Sequence, residues 1–153
     1  MLSEIVKKEL NDFYDSDIGV IPNDWEITTL GDVFEVQQGK SMSPKHRQGI
    51  SPYPFLRTSN VLWGKVDIAN LDSMDFTEKE REKLKLSPGD LLICEGGETG
   101  KTAIWKGEVS DCFYQNHIYR LRRKRSNVEP TFVMYWMQAA LKLFNLYSGH
   151  ENG

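Results

Sequence analysis

The sequence predicts an α+β fold: a twisted, mostly antiparallel or mixed β-sheet with one short mid-chain helix and one C-terminal helix. Three observations carry this reading. Apolar and β-branched residues fall in many short runs punctuated by Gly, Pro, Asn and Asp. Two later stretches combine a helix-start signal with helical spacing. Helices are few and late rather than alternating with strands, which argues against a doubly wound sheet. A length of 153 residues suits one domain with a modest core. That domain is expected over residues 21–153, behind a weak helix or loosely tied lead-in over 1–20.

In chain order, SEIVKKEL has some helical spacing but Asp and Gly follow it. Ile21-Pro22-Asn23-Asp24 is a turn signal. WEITTL and DVFEV read as short strands broken at Gly31-Asp32. A long polar loop from Gln37 to Pro54 exceeds the usual connection, which marks it as functional or partly mobile. FLRTSNV is extended, Trp63-Gly64 turns, and KVDI is a further short strand. Thr77 and Glu80 form a capping box that opens a helix to about Leu86, closed by Ser87-Pro88-Gly89-Asp90. Asp90 to Cys94 is an apolar run of buried-strand type, followed by a Gly-rich loop and TAIWK. CFYQNHIYRL reads as one long strand over 112–121. Pro130 to Tyr147 is the clearest helix: Pro in its first turn, apolar residues at Phe132, Val133, Trp136, Ala139, Ala140, Leu143 and Tyr147, and Gly149 beyond its end.

Composition narrows the function. No apolar run approaches the roughly 18 residues of a membrane helix, and the N-terminus lacks the apolar core of a secretory signal. A cytoplasmic protein without membrane contact is expected. The only cysteines, Cys94 and Cys112, form no Cys-x-x-Cys pair and suggest reduced, buried thiols rather than a zinc site or a disulfide. The net charge is −3, yet charge is segregated. Gln37 to Lys65 holds five basic residues and no acid, Arg120 to Arg125 holds five more, and Met1 to Asp32 carries eight acids against two lysines. Such segregation can leave a positive face on an acidic protein. Taken alone, the Arg120–Arg125 run reads better as a solvated strand edge.

Catalytic patterns are not found. Gly96-Gly97-Glu98-Thr99-Gly100-Lys101-Thr102 imitates a phosphate-binding loop, but the glycine spacing is short by one and a strand pattern follows where a helix is needed. Asp90, Glu95 and Lys101 match no acid-x-Lys nuclease signature. No βαβ unit for a methyl-donor cofactor is present. His46, His117 and His150 form no metal set, and no nucleophile elbow is visible. No catalytic residue, metal or cofactor is assigned.

DNA readout needs other parts: Arg and Lys for phosphates, and Gln, Asn, Arg, Ser and Thr for base edges. Three segments offer them. The first is Gln37-Gln38-Gly39-Lys40-Ser41 with Lys45-His46-Arg47, the second Arg57-Thr58-Ser59-Asn60, the third Gln115-Asn116-His117. Each alone could be a polar turn; their recurrence without a catalytic set favours DNA. Lys40, Lys45, Arg47 and Lys101 are the expected phosphate contacts. Arg57, Ser59, Asn60, Gln115 and Asn116 are the expected base readers, with Gln37, Ser41, Thr58 and His117 beside them.

The order of segments resembles a known family, the specificity subunits of type I restriction–modification enzymes. The matching stretches are Ile21-Pro22-Asn23-Asp24-Trp25-Glu26, Leu30-Gly31-Asp32, Gln38-Gly39-Lys40-Ser41, and Pro54 to Val61 with Gly64-Lys65-Val66-Asp67. They continue through Leu86-Ser87-Pro88-Gly89-Asp90-Leu91-Leu92, Gly96 to Lys101, Gln115 to Leu121 and the helix after Pro130. The resemblance spans roughly residues 18–150. It implies a target-recognition domain with a twisted, β-rich sheet and an α/β part, reading one half of a split site in double-stranded DNA. It implies methyltransferase subunits and a restriction subunit as partners, with S-adenosylmethionine bound by the former. The long spacer helix and second recognition domain of such subunits are not in this sequence, which leaves a fragment or a half subunit open. Without the spacer helix, methyltransferase docking is expected to be weak, and DNA binding loose and salt-sensitive. Two rivals remain: a protein-interaction domain using the aromatic C-terminal helix, and a phosphohydrolase using the Gly96–Thr102 loop.

Overall fold

The computed structural model describes residues 4–7, 13–16, 19–22, 26–95 and 100–143, with side chains over 31–95 and 100–138. Its elements run β1 (Glu4–Lys7), β2 (Phe13–Ser16), β3 (Gly19–Pro22), β4 (Glu26–Thr29), α1 (Leu30–Val33) and β5 (Phe34–Gln38). They continue with β6 (Pro52–Leu56), β7 (Val61–Leu62), β8 (Lys65–Val66), β9 (Asp72–Asp75) and α2 (Glu78–Leu84). Last come β10 (Leu91–Cys94), β11 (Thr102–Ile104), β12 (Phe113–Tyr114), β13 (Ile118–Arg123) and α3 (Pro130–Leu143). The fold is α+β, with few helices and mixed sheets.

A four-stranded antiparallel sheet in the order β11-β10-β13-β5 forms the middle layer. Its side-chain alternation feeds two cores, as a period of two requires. Leu92, Cys94, Ala103 and Ile118 enter the larger core, which they share with Phe55, Phe76, Trp105 and Phe113. Leu91, Ile93, Ile104 and Leu121 enter a smaller one with Val33, Phe34, Val133, Met134 and Met137. The larger core is closed by a three-stranded sheet, β12-β6-β9, in which β12 and β6 are parallel and β6 and β9 antiparallel. Phe113 is its aromatic centre, stacked on Phe76 at 4.6 Å between centroids and edge-on to Tyr53 at 5.5 Å. Such pairs add about 0.5–1.5 kcal/mol beyond their buried area. The smaller core is closed by α1 and α3.

Several expectations change. Glu4–Lys7, read as part of a weak helix or lead-in, is a strand paired with β4, and β2 and β3 pair with each other. Ile5 and Val6 are β-branched, and cross-strand pairing outweighs a weak helical pattern. The single long strand over 112–121 is two strands, β12 and β13, separated at Gln115-Asn116-His117. There the chain passes from the three-stranded sheet into the four-stranded one. FLRTSNV is extended only to Leu56, then turns through a 3-10 helix at Thr58–Asn60. β9 has no counterpart in the sequence reading, because DSMD offers no β-branched residue. The helix of 77–86 stands as α2, with both capping-box bonds made: Glu80 N to Thr77 Oγ1 at 3.2 Å, and Thr77 N to Glu80 Oε1 at 2.9 Å. In α3, Val133, Met134 and Met137 face the core while Phe132 is 55% exposed, so Phe132 is not on the buried stripe expected for it. The part of that helix expected beyond residue 143 lies outside the described residues.

Candidate nucleic-acid interface

The seam between the two sheets brings the three polar segments together. β5 ends at Gln38, and the chain then runs against the crossover from β12 to β13. Lys40 N donates to Tyr114 O (3.1 Å), Asn116 N to Lys40 O (2.9 Å), and Gln38 Nε2 to Asn116 O (2.8 Å). Gln115 N donates to Leu56 O (2.9 Å), one residue before Arg57. Lys101 Nζ donates to Thr58 O (3.3 Å), which ties the turn at Thr58–Asn60 to the start of β11. At Gly39 a Cβ would overlap the carbonyl oxygens of Tyr114 and Gln115, so only glycine fits the crossing.

Not every expected contact residue is available. Lys40, expected on a phosphate, has a side chain only 9% exposed. Its ammonium donates to Asp75 O and to Glu80 Oε1 at 2.9 Å, and lies 5.1 Å from the Phe76 ring centre. Asn60, expected to read bases, is buried: Oδ1 accepts from Arg57 N (2.8 Å), and Nδ2 donates to Asp67 O (3.0 Å) and Asn70 O (3.3 Å). Gln115 is buried as well. These three hold the seam in the free chain. Ser41, Lys45, Arg47, Arg57, Ser59 and His117 are exposed, whereas Gln37, Thr58, Lys101 and Asn116 are half-buried.

Arg47 and Arg57 come from different segments and meet at one acid. Asp72 Oδ1 accepts from Arg47 Nη2 at 2.6 Å, and Asp72 Oδ2 lies 3.8 Å from Arg57 Nη1. Both guanidiniums keep an open side, with side chains 40% and 48% exposed. The loop that carries Arg47 is ordered by its own backbone, with a 3-10 turn at Pro44–His46 and His46 Nδ1 2.8 Å from Ser41 O. Sequence reading saw a stretch free of acids; the fold returns Asp72, Asp75 and Glu80 to it from β9 and α2. No local signal marks Asp72 and Asp75, whose roles exist only after β6 and β9 pair; Glu80 is marked locally as a helix cap but not as the partner of Lys40.

The second basic run divides: Arg120 and Arg122 are taken up by partners within the protein, whereas Arg123, Lys124 and Arg125 are exposed. Arg120 is 1% exposed and donates to Lys83 O (2.9 Å), Lys85 O (3.4 Å) and Glu35 Oε1 (3.2 Å). Arg122 grips the buried Asp90 carboxylate through two bonds of 2.8 Å. Arg123 and Lys124 donate to nearby carbonyls. The solvated strand edge expected for this run describes Arg123, Lys124 and Arg125, but not Arg120, which is buried, or Arg122, which is paired with Asp90.

Ionisation follows burial. The Cys94 thiol is pushed up to about 11 by burial, with Lys101 pulling the other way, and burial pushes Cys112 up to about 12. Both are free and buried, as a reduced pair of thiols should be. For Glu80, burial pushes upward but the bonds from Lys40 and Thr77 N outweigh it, leaving the carboxyl below its usual 4.5. Of the loop that imitates a phosphate-binding motif, 96–99 lie outside the described residues. Its Thr102 is fully buried, donates to Gly100 O (2.8 Å) and starts a strand, not a helix. Among the described residues, no group of three or more His, Cys, Asp or Glu side chains could hold a metal ion, and no helix is long and apolar enough to cross a membrane.

The profile of the type I restriction modification DNA specificity domain matches residues 22–152. The chain belongs to that family. Among curated relatives, the specificity domain is 28% identical over 142 residues to a Methanocaldococcus jannaschii protein provisionally named type I restriction enzyme MjaX specificity subunit, covering 90% of this chain and 33% of that one. It is 26% identical over 140 residues to the type I restriction enzyme MjaVIII specificity subunit of the same organism, covering 86% and 32%. The specificity domain thus spans about a third of the length of these relatives. Among solved structures it is similar in fold to the HsdS subunit from Thermoanaerobacter tengcongensis, with TM-score 0.55, 18% identity, and coverage of 84% of this chain and 30% of that one. A structure described as the basis of complex assembly and conformational transition of the type I R-M system gives TM-score 0.52 at 18% identity, covering 71% and 26%.

Proposed function

We propose that this domain reads one half of a split DNA target within a type I restriction–modification specificity subunit, and that it contributes recognition rather than catalysis. The observation that carries the reading is the convergence of exposed Arg47 and Arg57, from separate segments, beside exposed Ser41, Lys45, Ser59 and His117 at one seam. Lys45, Arg47 and Lys101 position the domain on phosphates. Arg57, Ser59 and Asn116 face base edges, where an arginine fork suits guanine and an amide suits adenine. Lys40, Asn60 and Gln115 act as scaffold. Methyltransferase and restriction subunits are the partners in this reading, and the cytoplasm is where they meet DNA.

The test is selection of this chain on a random duplex library at two salt concentrations, with sequencing of the bound fraction. Enrichment of one short motif is the expected result. Absence of DNA binding at low salt would sink the reading; binding without enrichment would reduce it to non-specific attachment.

A further inference from the structure

Ile50 sits in the loop between β5 and β6 and is 79% exposed, the most exposed large apolar side chain among the described residues. A single exposed apolar residue needs no explanation by itself. Here the backbone around it is fixed on both sides. The Asp75 carboxylate accepts from Gln48 N (3.0 Å) and from Ser51 N (2.8 Å), and Ser51 O accepts from Phe76 N (3.1 Å). Gly49, at φ +75, makes the turn that lets one carboxylate hold both amides. The side chain is therefore presented from a rigid tip anchored in β9.

The loop that presents it is basic: residues 41–50 carry Lys45 and Arg47, both exposed, and no acid. The open cleft beside Ile50, of volume ≈ 380 Å³, is mixed in charge, lined by Lys45 and Arg81 and by Asp75 and Glu78. Arg81 also donates to Ser51 Oγ (3.2 Å) and Phe76 O (2.8 Å). An apolar group on a basic loop suits a polyanion that carries an apolar group of its own. On the major-groove edges of DNA that group is the thymine 5-methyl.

We propose that Ile50 is a specificity-determining residue that packs on the 5-methyl of one thymine in the target. The proposal rests on the DNA-reading function above and extends it to a residue outside the polar set. A rigid tip gives up little freedom on contact, so the methyl is read as a difference in affinity.

The experiment starts from the half-site enriched by selection. Each thymine is replaced singly by deoxyuridine, which lacks the methyl, and the Kd of the full chain and of Ile50→Ala is measured on every duplex. The expected result is one position where deoxyuridine weakens the unsubstituted chain about fourfold, the effect of one buried methyl, and where I50A shows no such loss. A urea midpoint for I50A equal to that of the unsubstituted chain confirms its fold, as expected for so exposed a side chain. The proposal is overturned by a half-site without thymine, or by no deoxyuridine effect that disappears in I50A. Complete loss of binding in a folded I50A also overturns it, because one methyl contact cannot carry the whole affinity. Failure to bind DNA at all would instead remove the proposed function, and this inference with it.

Discussion

Gly39 stands where β5 hands the chain to the seam, against the carbonyls of Tyr114 and Gln115. Those oxygens belong to backbone that also bonds Lys40 and Leu56, so they cannot retreat without opening both sheets. Gly39→Ala should therefore destabilise the fold by about 2–3 kcal/mol in urea unfolding, at the upper end of overpacking effects. Ser41→Ala, two residues away and exposed, should stay within about 0.5 kcal/mol and serves as the control. A Gly39→Ala protein as stable as its parent would mean that the crossing is looser than the bonds imply. The sequence showed that Gln38-Gly39-Lys40-Ser41 mattered but not how. Lys40 and Asn60 were read as DNA contacts because their chemistry suits DNA; only folding shows that chemistry already used within the chain.

At the scale of elements, the Lys40–Glu80 pair helps tie α2 to the seam, while Glu80 also caps its own helix. The folded Glu80 carboxyl lies below its usual 4.5, so its contribution is fully present above that value and is lost as pH falls through the lowered one. Glu80→Gln keeps the cap acceptor and removes the charge. The Tm of E80Q should fall below that of the parent near neutral pH, and the gap should close as pH drops below 4.5. A gap that stays constant down to acid pH would assign the effect to packing instead. The elements legible in the sequence were those with local signals, such as the capping box of α2, the apolar run of β10 and the Pro-led start of α3. The break between β12 and β13 was not legible. Aromatic and β-branched residues lie on both sides of it, and what divides them is a change of sheet partner, from β6 to β10 and β5.

For the whole molecule, a net charge of −3 means that DNA attraction must be local. With Arg120 buried and Arg122 held by Asp90, the electrostatic share of affinity in the proposed function falls to exposed cations, among them Lys45, Arg47 and Arg57 at the seam. Arg47→Ala should lower the slope of log affinity against log salt by about 1 if Arg47 meets a phosphate. Arg57→Ala should leave that slope nearer its parent value but relax the preference at one base pair. Equal slopes in all three proteins would remove Arg47 from the interface. The fold class was legible from short strands and few helices. The layering was not, because it depends on which face of β10 and β13 meets which core.

The loop from Ser41 to Ile50 is held by Asp75, whose carboxylate takes the amides on either side of its tip, and by the Arg47–Asp72 pair. Its outward side chains take little part in the core, so most of them can be exchanged without refolding the scaffold. A lineage carrying this fold could thus acquire new targets by drift at the tip, while selection for stability acts on Asp75, Gly49 and the seam behind them. The anchor and the variable surface are separate residues, which makes novelty here cheap in stability.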